Sequence, residues 1–192
     1  MAIEYEATFA NINKNRIRSK LKNMGAKLVK AEFMQKRIVF HLPKGHEIKG
    51  GWLRVRDESD KITLSLKIVI GDGIENQNEI CLKIDNFEEA VKLLEQIGCR
   101  QKAYQESKRE IWEIDGVEVT IDEWPFLEPY VEVEGTSEEA VKNMSDKLGF
   151  DYSEAIFDSV DYLYSKKYNI SKDIVNNSTP RIVFGKENPF QK

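Results

Sequence analysis

The clearest pattern in the chain is Gly51-Trp52-Leu53-Arg54-Val55-Arg56-Asp57-Glu58-Ser59-Asp60-Lys61-Ile62-Thr63-Leu64-Ser65-Leu66-Lys67-Ile68. On both sides of the polar stretch in its middle, apolar residues alternate with polar ones. Because successive side chains of a strand point to opposite faces, each half predicts a strand with one apolar and one polar face. When the two strands pair as a hairpin, Arg54, Arg56 and Lys67 lie on one surface. Three cations gathered by regular structure indicate a binding site for an anion.

The composition is that of a globular protein without a large basic surface. Of its 192 residues, 41% are hydrophobic and 32% are charged, and the net charge is -4. We expect one domain, alone or with an extension. The acidic balance argues against binding to nucleic acid, and no apolar run approaches the ~20 residues that a membrane span needs. The first residues show no signal-peptide pattern, so we expect a cytoplasmic protein. We also expect a monomer or a homodimer.

Alternation along the whole chain predicts eight strands, including these two, and apolar residues at helical spacing predict about four helices. Most connections have hairpin length, as at Asp115-Gly116, so we expect a mainly antiparallel sheet and an α+β fold. The last helix is predicted from near Ser153 to about Tyr168. Residues 1–168 then form one domain, and residues 169–192 form a C-terminal extension that docks on it or stays mobile.

The polar faces of the predicted strands carry acids and bases in similar numbers, while the opposite faces are almost uniformly apolar. One interpretation is an ordinary sheet with a wet face and a core face. The other is an eight-stranded closed barrel whose charged faces point inward, with the helices packed outside on the apolar faces. Enclosed charges cost several kcal/mol each unless they compensate one another. The acids are Glu4, Glu6, Glu79, Glu118, Asp122, Glu132 and Glu134, and the bases are Arg37, Arg54, Arg56, Lys67, Lys83 and either Lys108 or Arg109.

These side chains suit a polyanion accompanied by metal ions. Carboxylates two residues apart on a strand lie on the same face, as in Glu4/Glu6 and Glu132/Glu134. With Asp122 they offer the hard oxygen ligands that Mg²⁺ or Mn²⁺ prefers. Arginine forks match the oxygens of phosphate groups. A tunnel with acids on one side and guanidinium groups opposite therefore predicts a triphosphate ligand.

Six short motifs occur in an order that resembles the CYTH superfamily, the triphosphate tunnel metalloenzymes. They are Glu4-x-Glu6, Leu53-Arg54-Val55-Arg56, the strand of Lys67, Arg109-x-x-Trp112, Ile121-Asp122 and Tyr130-Val131-Glu132-Val133-Glu134-Gly135. The resemblance covers about residues 1–168 and is closest to the class IV adenylyl cyclase-like group. It implies an antiparallel eight-stranded closed barrel that forms a tunnel.

The resemblance also implies an enzyme and assigns roles. Its substrate would be ATP, inorganic triphosphate or thiamine triphosphate, and its reaction either hydrolysis or the cyclisation of ATP to cyclic AMP. Lys67 and Arg56 would be catalytic. The implied substrate-binding residues are Arg37, Arg54, Arg56, Lys67 and Arg109, and the implied ligands for Mg²⁺ or Mn²⁺ are Glu4, Glu6, Asp122, Glu132 and Glu134.

Two positions depart from the family pattern. Thr8 stands where the family's Glu-x-Glu-x-Lys signature has lysine, and either Lys36 or Arg37 is expected to supply the missing cation. Cyclase-like members often have an acid and an aromatic residue where Arg37 and Val39 stand here. This second departure argues against an adenylyl cyclase in particular. Thr8 makes a non-catalytic protein that binds or senses nucleotide or polyphosphate the alternative function. The retained acids favour the enzyme, because a binder of anions needs only the cations.

Overall fold

The computed structural model describes residues 2–71 and 73–191, and the side chains of residues 5–71, 73–75 and 77–191. The fold is α+β, as predicted. The strands are β1 (Ala2–Phe9), β2 (Lys27–His41), β3 (Gly51–Asp57), β4 (Ile62–Val69), β5 (Gln77–Ile84), β6 (Arg100–Ile114), β7 (Val117–Glu123), β8 (Tyr130–Gly135) and β9 (Arg181–Ile182). The α-helices are α1 (Lys14–Asn23), α2 (Phe87–Gln96), α3 (Glu138–Lys147), α4 (Val160–Tyr168) and α5 (Lys172–Asn177).

Eight of the strands form one curled antiparallel sheet. Their order is β2-β3-β4-β5-β1-β8-β7-β6, and β2 pairs with β6 as well as with β3. The prediction of eight mainly antiparallel strands is therefore confirmed. The short strand β9 was not predicted, and it lies parallel to β6 beside Tyr104 and Gln105.

The two longest strands extend further than their alternation predicts. β2 begins at Lys27, although regular alternation begins only at Met34, and β6 begins at Arg100. Each of the two strands has 15 residues, and they pair with each other along most of that length, with register shifts between Leu28 and Phe33. Backbone pairing with a partner strand, which a single sequence does not show, extends them beyond their patterned segments.

The apolar outer face of the sheet is covered by helices. α1 and α3 bury Leu21 and Met144 in a cluster that includes Val119, Val131 and Val133. α2 covers a second patch on the same face. That patch contains Ala90 and Leu94 of the helix with Phe40, Val55 and Cys99. Since these helices occupy the apolar face, the polar face of the strands is turned inward.

The C-terminal part differs from its prediction. Instead of one helix from Ser153, the backbone of Ile156 pairs with that of Thr8, and α4 begins only at Val160. The hydroxyl of Tyr164 donates a hydrogen bond of 2.6 Å to the carbonyl of Pro125. α4, α5 and β9 form a third cluster of buried side chains, which contains Trp124, Tyr130, Tyr164, Val175 and Ile182. The extension thus packs against the sheet, while a domain boundary at residue 168 stays a prediction.

Within the described residues, none of the helices combines the length and the apolar character needed to cross a membrane.

Candidate active site

The inner face of the curled sheet encloses a cavity of about 530 Å³. That volume lies within the range of about 300–1,000 Å³ that is typical of small-ligand sites. Charged side chains dominate its lining, as the alternation predicts. Its cations include Arg37, Arg54, Arg56, Lys67 and Arg109, and its acids include Glu6, Glu58, Glu79, Glu132 and Glu134.

Three arginines from two adjacent strands form a row in this cavity, which we call the arginine row: Arg37, Arg54 and Arg56. Arg37 on β2 stands directly opposite Arg56 on β3. Arg54 donates a hydrogen bond of 3.0 Å to Glu79, and Arg56 forms an ion pair of 2.6 Å with Glu58. Burial, followed by the charge of Arg54, lowers the pKa of Arg56 to about 10. Arg56 therefore keeps its charge at neutral pH, in a place where a further anion would stabilise it.

Arg37 is the arginine of the row that has no acidic partner among the side chains that the structure describes. Its guanidinium group donates hydrogen bonds to two neutral side chains, at 2.6 Å to Gln35 and also to Ser107, and it lies 4.4 Å from the ring centroid of Trp124. Its described contacts contain no carboxylate, although only 6% of its surface is exposed. Burial and then the charges of Arg56 and Arg54 lower its pKa well below the usual value. Since arginine stays protonated in proteins, this position favours a bound anion.

Polar atoms around the arginine row are buried without a hydrogen-bond partner among the described residues. Buried polar groups in proteins nearly always have partners, so each exception requires an explanation. Here the Nε–H groups point to an anion with several oxygens, which would accept their hydrogen bonds. The unpartnered atoms are Nε of Arg37, Arg54 and Arg56, Nε2 of Gln35, Oγ1 of Thr63, Oγ of Ser65 and Oε1 of Glu58, which is in ion-pair contact with Arg56.

Acids gather on the other side of the cavity around Arg109. The Nε of Arg109 donates a hydrogen bond of 2.8 Å to Asp122, and its Nη2 donates to Glu132. The hydroxyl of Thr120 also donates to Asp122, at 2.7 Å. Desolvation works against the charge of Arg109, but Asp122 and Glu132 outweigh it and raise its pKa well above the usual value. Arg109 therefore orients two of the predicted metal ligands.

Glu6 and Glu134 complete the acidic side. The two residues pair across β1 and β8, and both line the cavity. Burial and then the charge of Glu132 raise the pKa of Glu6 to about 8. Such mutual repulsion between acids is what a divalent cation relieves, and carboxylate oxygens are suitable ligands for Mg²⁺ or Mn²⁺.

The donor chemistry therefore fits a divalent metal, although no three of the described acidic, histidine or cysteine side chains converge on one point as they stand. The carboxylates of Asp122 and Glu132 are held by Arg109. The side chain of Glu4, the fifth predicted ligand, lies outside those that the structure describes.

Two ambiguities of the sequence are resolved by the structure. Arg109 faces the cavity, whereas Lys108 pairs with Glu123. Arg37 lines the cavity, whereas Lys36 is exposed. Lys67 also lines the cavity, at the position opposite Glu79 in the β4–β5 register.

Three of the acids and bases expected on the inner faces are placed differently. Lys83 is exposed, and it is absent from the cavity lining. Glu118 touches the cavity but is also exposed. Asp122 is fully buried behind Arg109 and reaches the cavity through that residue.

Several residues that shape the site were not predicted. Gln35 and Ser107 hold Arg37 by hydrogen bonds. The sequence could have indicated them, because Gln35 stands two residues before Arg37 on β2 and Ser107 two residues before Arg109 on β6. Glu58 was taken as part of a polar turn, although it continues the spacing of Arg54 and Arg56. The stacking of Trp124 on Arg37 had no signal, since Trp124 stands in an irregular loop.

One side of the cavity is formed by the C-terminal helices. Asp161 on α4 accepts hydrogen bonds of 2.5 Å from Ser159 and 2.6 Å from Asn176, and Lys172 on α5 pairs with Asp158. All five side chains line the cavity. The expectation that the predicted helices pack outside the sheet is therefore wrong for α4, and α5, which was not predicted, lies in the C-terminal extension. Their irregular spacing of apolar residues gave no indication of which face they bury.

A sequence profile of the CYTH domain matches residues 2–163. A protein of Methanocaldococcus jannaschii, whose adenylate cyclase name is itself provisional, is 26% identical over 172 residues, which are 89% of this chain and 92% of that protein.

Solved structures share the fold. A Vibrio parahaemolyticus protein, whose description as an adenylate cyclase is also provisional, gives a TM-score of 0.73 at 13% identity, covering 85% of this chain and 98% of its own. A Hippeastrum protein described as having a dominant triphosphatase activity gives 0.57 at 14% identity, covering 89% and 97%.

Proposed function

Because this chain belongs to the CYTH domain family, we propose that it is a metal-dependent enzyme that acts on a triphosphate inside a tunnel. The observation that carries the proposal is Arg37, a buried guanidinium group held by neutral side chains beside Arg54 and Arg56. A buried cation without a counter-ion is costly, and a phosphate group supplies the missing charge.

In this proposal the curled sheet is a closed barrel. The pairing of β2 with β6, at the two ends of the strand order, supports it. A barrel of eight strands leaves room for one small ligand. The triphosphate would lie along the arginine row. Its phosphate oxygens would accept hydrogen bonds from the unpartnered Nε–H groups.

Each charged group has a proposed role. Arg37, Arg54 and Arg109 bind and orient the phosphates. Arg56 and Lys67 are the catalytic cations, which neutralise the charge that develops on the transferring group. Phosphoryl transfer is catalysed mostly by such positioning and charge neutralisation.

The acids would hold the metal ion. Glu6, Asp122, Glu132 and Glu134, with Glu4, are the proposed ligands of Mg²⁺ or Mn²⁺. When bound, the ion neutralises charge on the phosphate oxygens and favours the ionised form of an attacking water or hydroxyl group. Arg109 holds Glu132 in the cavity lining and Asp122 directly behind it by its hydrogen bonds to them.

The proposed substrates are ATP, inorganic triphosphate and thiamine triphosphate, with hydrolysis or cyclisation as the reaction. Both activities appear in the descriptions of the similar proteins. A non-catalytic binding protein is the second candidate. It is favoured by Thr8, a buried neutral residue where the family signature has lysine. The acids Glu6, Glu132 and Glu134 in the cavity lining weigh against it, because a binder of anions needs only the cations.

Product analysis separates the candidates. The purified protein, first stripped with a chelator, is given ATP and inorganic triphosphate in parallel, with Mg²⁺, with Mn²⁺ or without metal. Metal-dependent formation of cyclic AMP and pyrophosphate identifies a cyclase, and release of orthophosphate identifies a triphosphatase. Binding of both ligands without turnover would move the binding protein to first place. Neither binding nor turnover would refute the proposal.

A further inference from the structure

The cavity face of β3 changes chemistry along its length. Trp52, Arg54 and Arg56 line the cavity in succession, and Glu58 follows at the same two-residue spacing. Residues at this spacing on a strand are roughly 6.6 Å apart. The face therefore carries two cations and then, at the next position, an anion.

Glu58 is a fixed part of the cavity wall. Only 2% of its surface is exposed, and its carboxylate pairs with Arg56 at 2.6 Å and with Lys61 at 3.3 Å. Its neighbour Asp60, in contrast, is largely exposed. Burial opposes the charge of Glu58, but Arg56 and Lys61 outweigh it and hold its pKa below the usual value.

The backbone of Glu58 is anchored as firmly as its side chain. Its N–H donates a hydrogen bond of 2.9 Å to the carbonyl of Lys61, and its carbonyl accepts one of 2.5 Å from Lys30 on β2. The next residue, Ser59, has a left-handed φ of 73° and donates its hydroxyl hydrogen bond to the carbonyl of Met34. The turn is thus attached to β2 at two points, which fix the backbone of Glu58 beside the cavity.

We propose that Glu58 ends the phosphate-binding row and thereby limits the length of the phosphate chain that the cavity accepts. This inference rests on the proposed function and makes it more specific. The last phosphate of a triphosphate would share Arg56 with Glu58. A further phosphate would be placed against the carboxylate, where like charges meet in a site with little water, and affinity falls. Glu58 is therefore a specificity-determining residue that excludes linear polyphosphates of more than three phosphate groups.

The test compares the wild type with Glu58→Gln, which keeps the size of the side chain and removes its charge. Calorimetric titration with inorganic tripolyphosphate and linear tetrapolyphosphate, both with Mg²⁺, gives the affinity ratio of the two ligands. We expect the wild type to prefer tripolyphosphate by at least tenfold and the variant to lose most of this preference. The matched control is Asp60→Asn, which removes an acid from the same turn outside the cavity and should keep the wild-type ratio.

The results separate this inference from the proposed function. If the wild type binds tripolyphosphate and Glu58→Gln leaves the ratio unchanged, Glu58 does not limit chain length, while the proposed function stands. If Glu58→Gln raises the affinity for both ligands equally, Glu58 only competes with the phosphate groups for Arg56, and the inference is again wrong. If the wild type binds neither ligand, both proposals fall together.

Stability of the variant is followed in the same samples. Glu58→Gln leaves Arg56 without its carboxylate, so its melting temperature without ligand should be lower than that of the wild type. Tripolyphosphate restores the missing charge and should raise the melting temperature more in the variant than in the wild type. A second substitution, Glu58→Asp, keeps the charge and should keep the preference for tripolyphosphate. Loss of preference in Glu58→Asp would show that packing, and not charge, sets the limit.

Discussion

The guanidinium carbon of Arg37 lies 4.4 Å from the ring centroid of Trp124, so the cation is stacked against an aromatic face in the wall of the cavity. Such stacking orients arginine without neutralising it. Gln35 and Ser107 likewise hold the group through neutral oxygens. Arg37 is therefore fixed in place while its charge stays available to a ligand.

Arg37→Gln should weaken the binding of inorganic triphosphate by about 10- to 100-fold. A hydrogen bond to a charged group contributes about 1.5–3 kcal/mol, and each 1.4 kcal/mol is a factor of ten. The measurement is calorimetric titration with Mg²⁺ present. Lys36→Gln is the matched control, since it removes the adjacent cation from an exposed position on the same strand. Equal losses of triphosphate affinity in the two variants would show that the overall charge of the protein, and not the arginine row, attracts the ligand.

Arg56→Ala should weaken triphosphate binding strongly and pyrophosphate binding less. Arg56 stands next to Glu58, at the end of β3 where the proposed function places the last phosphate of the longer ligand. Glu58 keeps its contact with Lys61 in this variant, so its charge remains partly compensated. Titration with the two ligands measures the difference. Equal losses for both would contradict a tunnel that spans three phosphates.

Glu132→Gln should abolish metal-dependent turnover without unfolding the protein. The proposed metal loses a charged ligand, while Arg109 keeps its hydrogen bond of 2.8 Å to Asp122. Turnover with Mg²⁺ or Mn²⁺ and the melting temperature are measured together. Glu113→Gln, which changes an exposed acid on β6, serves as the control. Wild-type turnover in Glu132→Gln would remove Glu132 from the metal site.

In the metal-free protein, the contribution of Glu6 to stability should decrease as the pH rises from about 4.5 to 8. The pKa of Glu6 is raised from 4.5 to about 8, so in this window the folded state keeps a proton that the unfolded state releases. Stability falls with pH wherever the folded state binds more protons. Glu132, Glu134, Lys67 and Arg109 all act on this carboxyl group.

Glu6→Gln isolates this contribution, because glutamine does not titrate. Chemical denaturation at several pH values should give a flatter profile for Glu6→Gln than for the wild type, and Glu113→Gln should keep the wild-type slope. A profile that Glu6→Gln leaves unchanged would show that Glu6 is ionised in the folded protein at neutral pH.

Alternation along short strands was the most informative feature of the sequence. It placed Arg54, Arg56 and Lys67 on one face, and the structure brings all three into one cavity. The choice between Lys108 and Arg109 required the structure, because the residues that precede them on β6 are polar on both faces. A sequence pattern identifies the faces of a strand only where the two faces differ in polarity.

Contacts between distant segments were the part that the sequence did not reveal. Trp124 reaches Arg37 from a loop, and Asn176 reaches Asp161 from the C-terminal extension. Neither contact has a period or a spacing that marks it. Glu58 was missed for a different reason. Its position at the end of a strand suggested a solvated turn, whereas the anchoring of that turn to β2 keeps the side chain inside.

The most direct test of the central claim is a titration of the wild-type protein with inorganic triphosphate, pyrophosphate and orthophosphate. Binding can be followed by calorimetry and by the fluorescence of Trp52 and Trp124, which both line the cavity. We predict one saturable site with Mg²⁺, an affinity at least tenfold higher for triphosphate than for pyrophosphate, and displacement of the bound triphosphate by ATP. Equal affinities for the three anions, or no saturable binding, would contradict the assignment of this cavity as a triphosphate site.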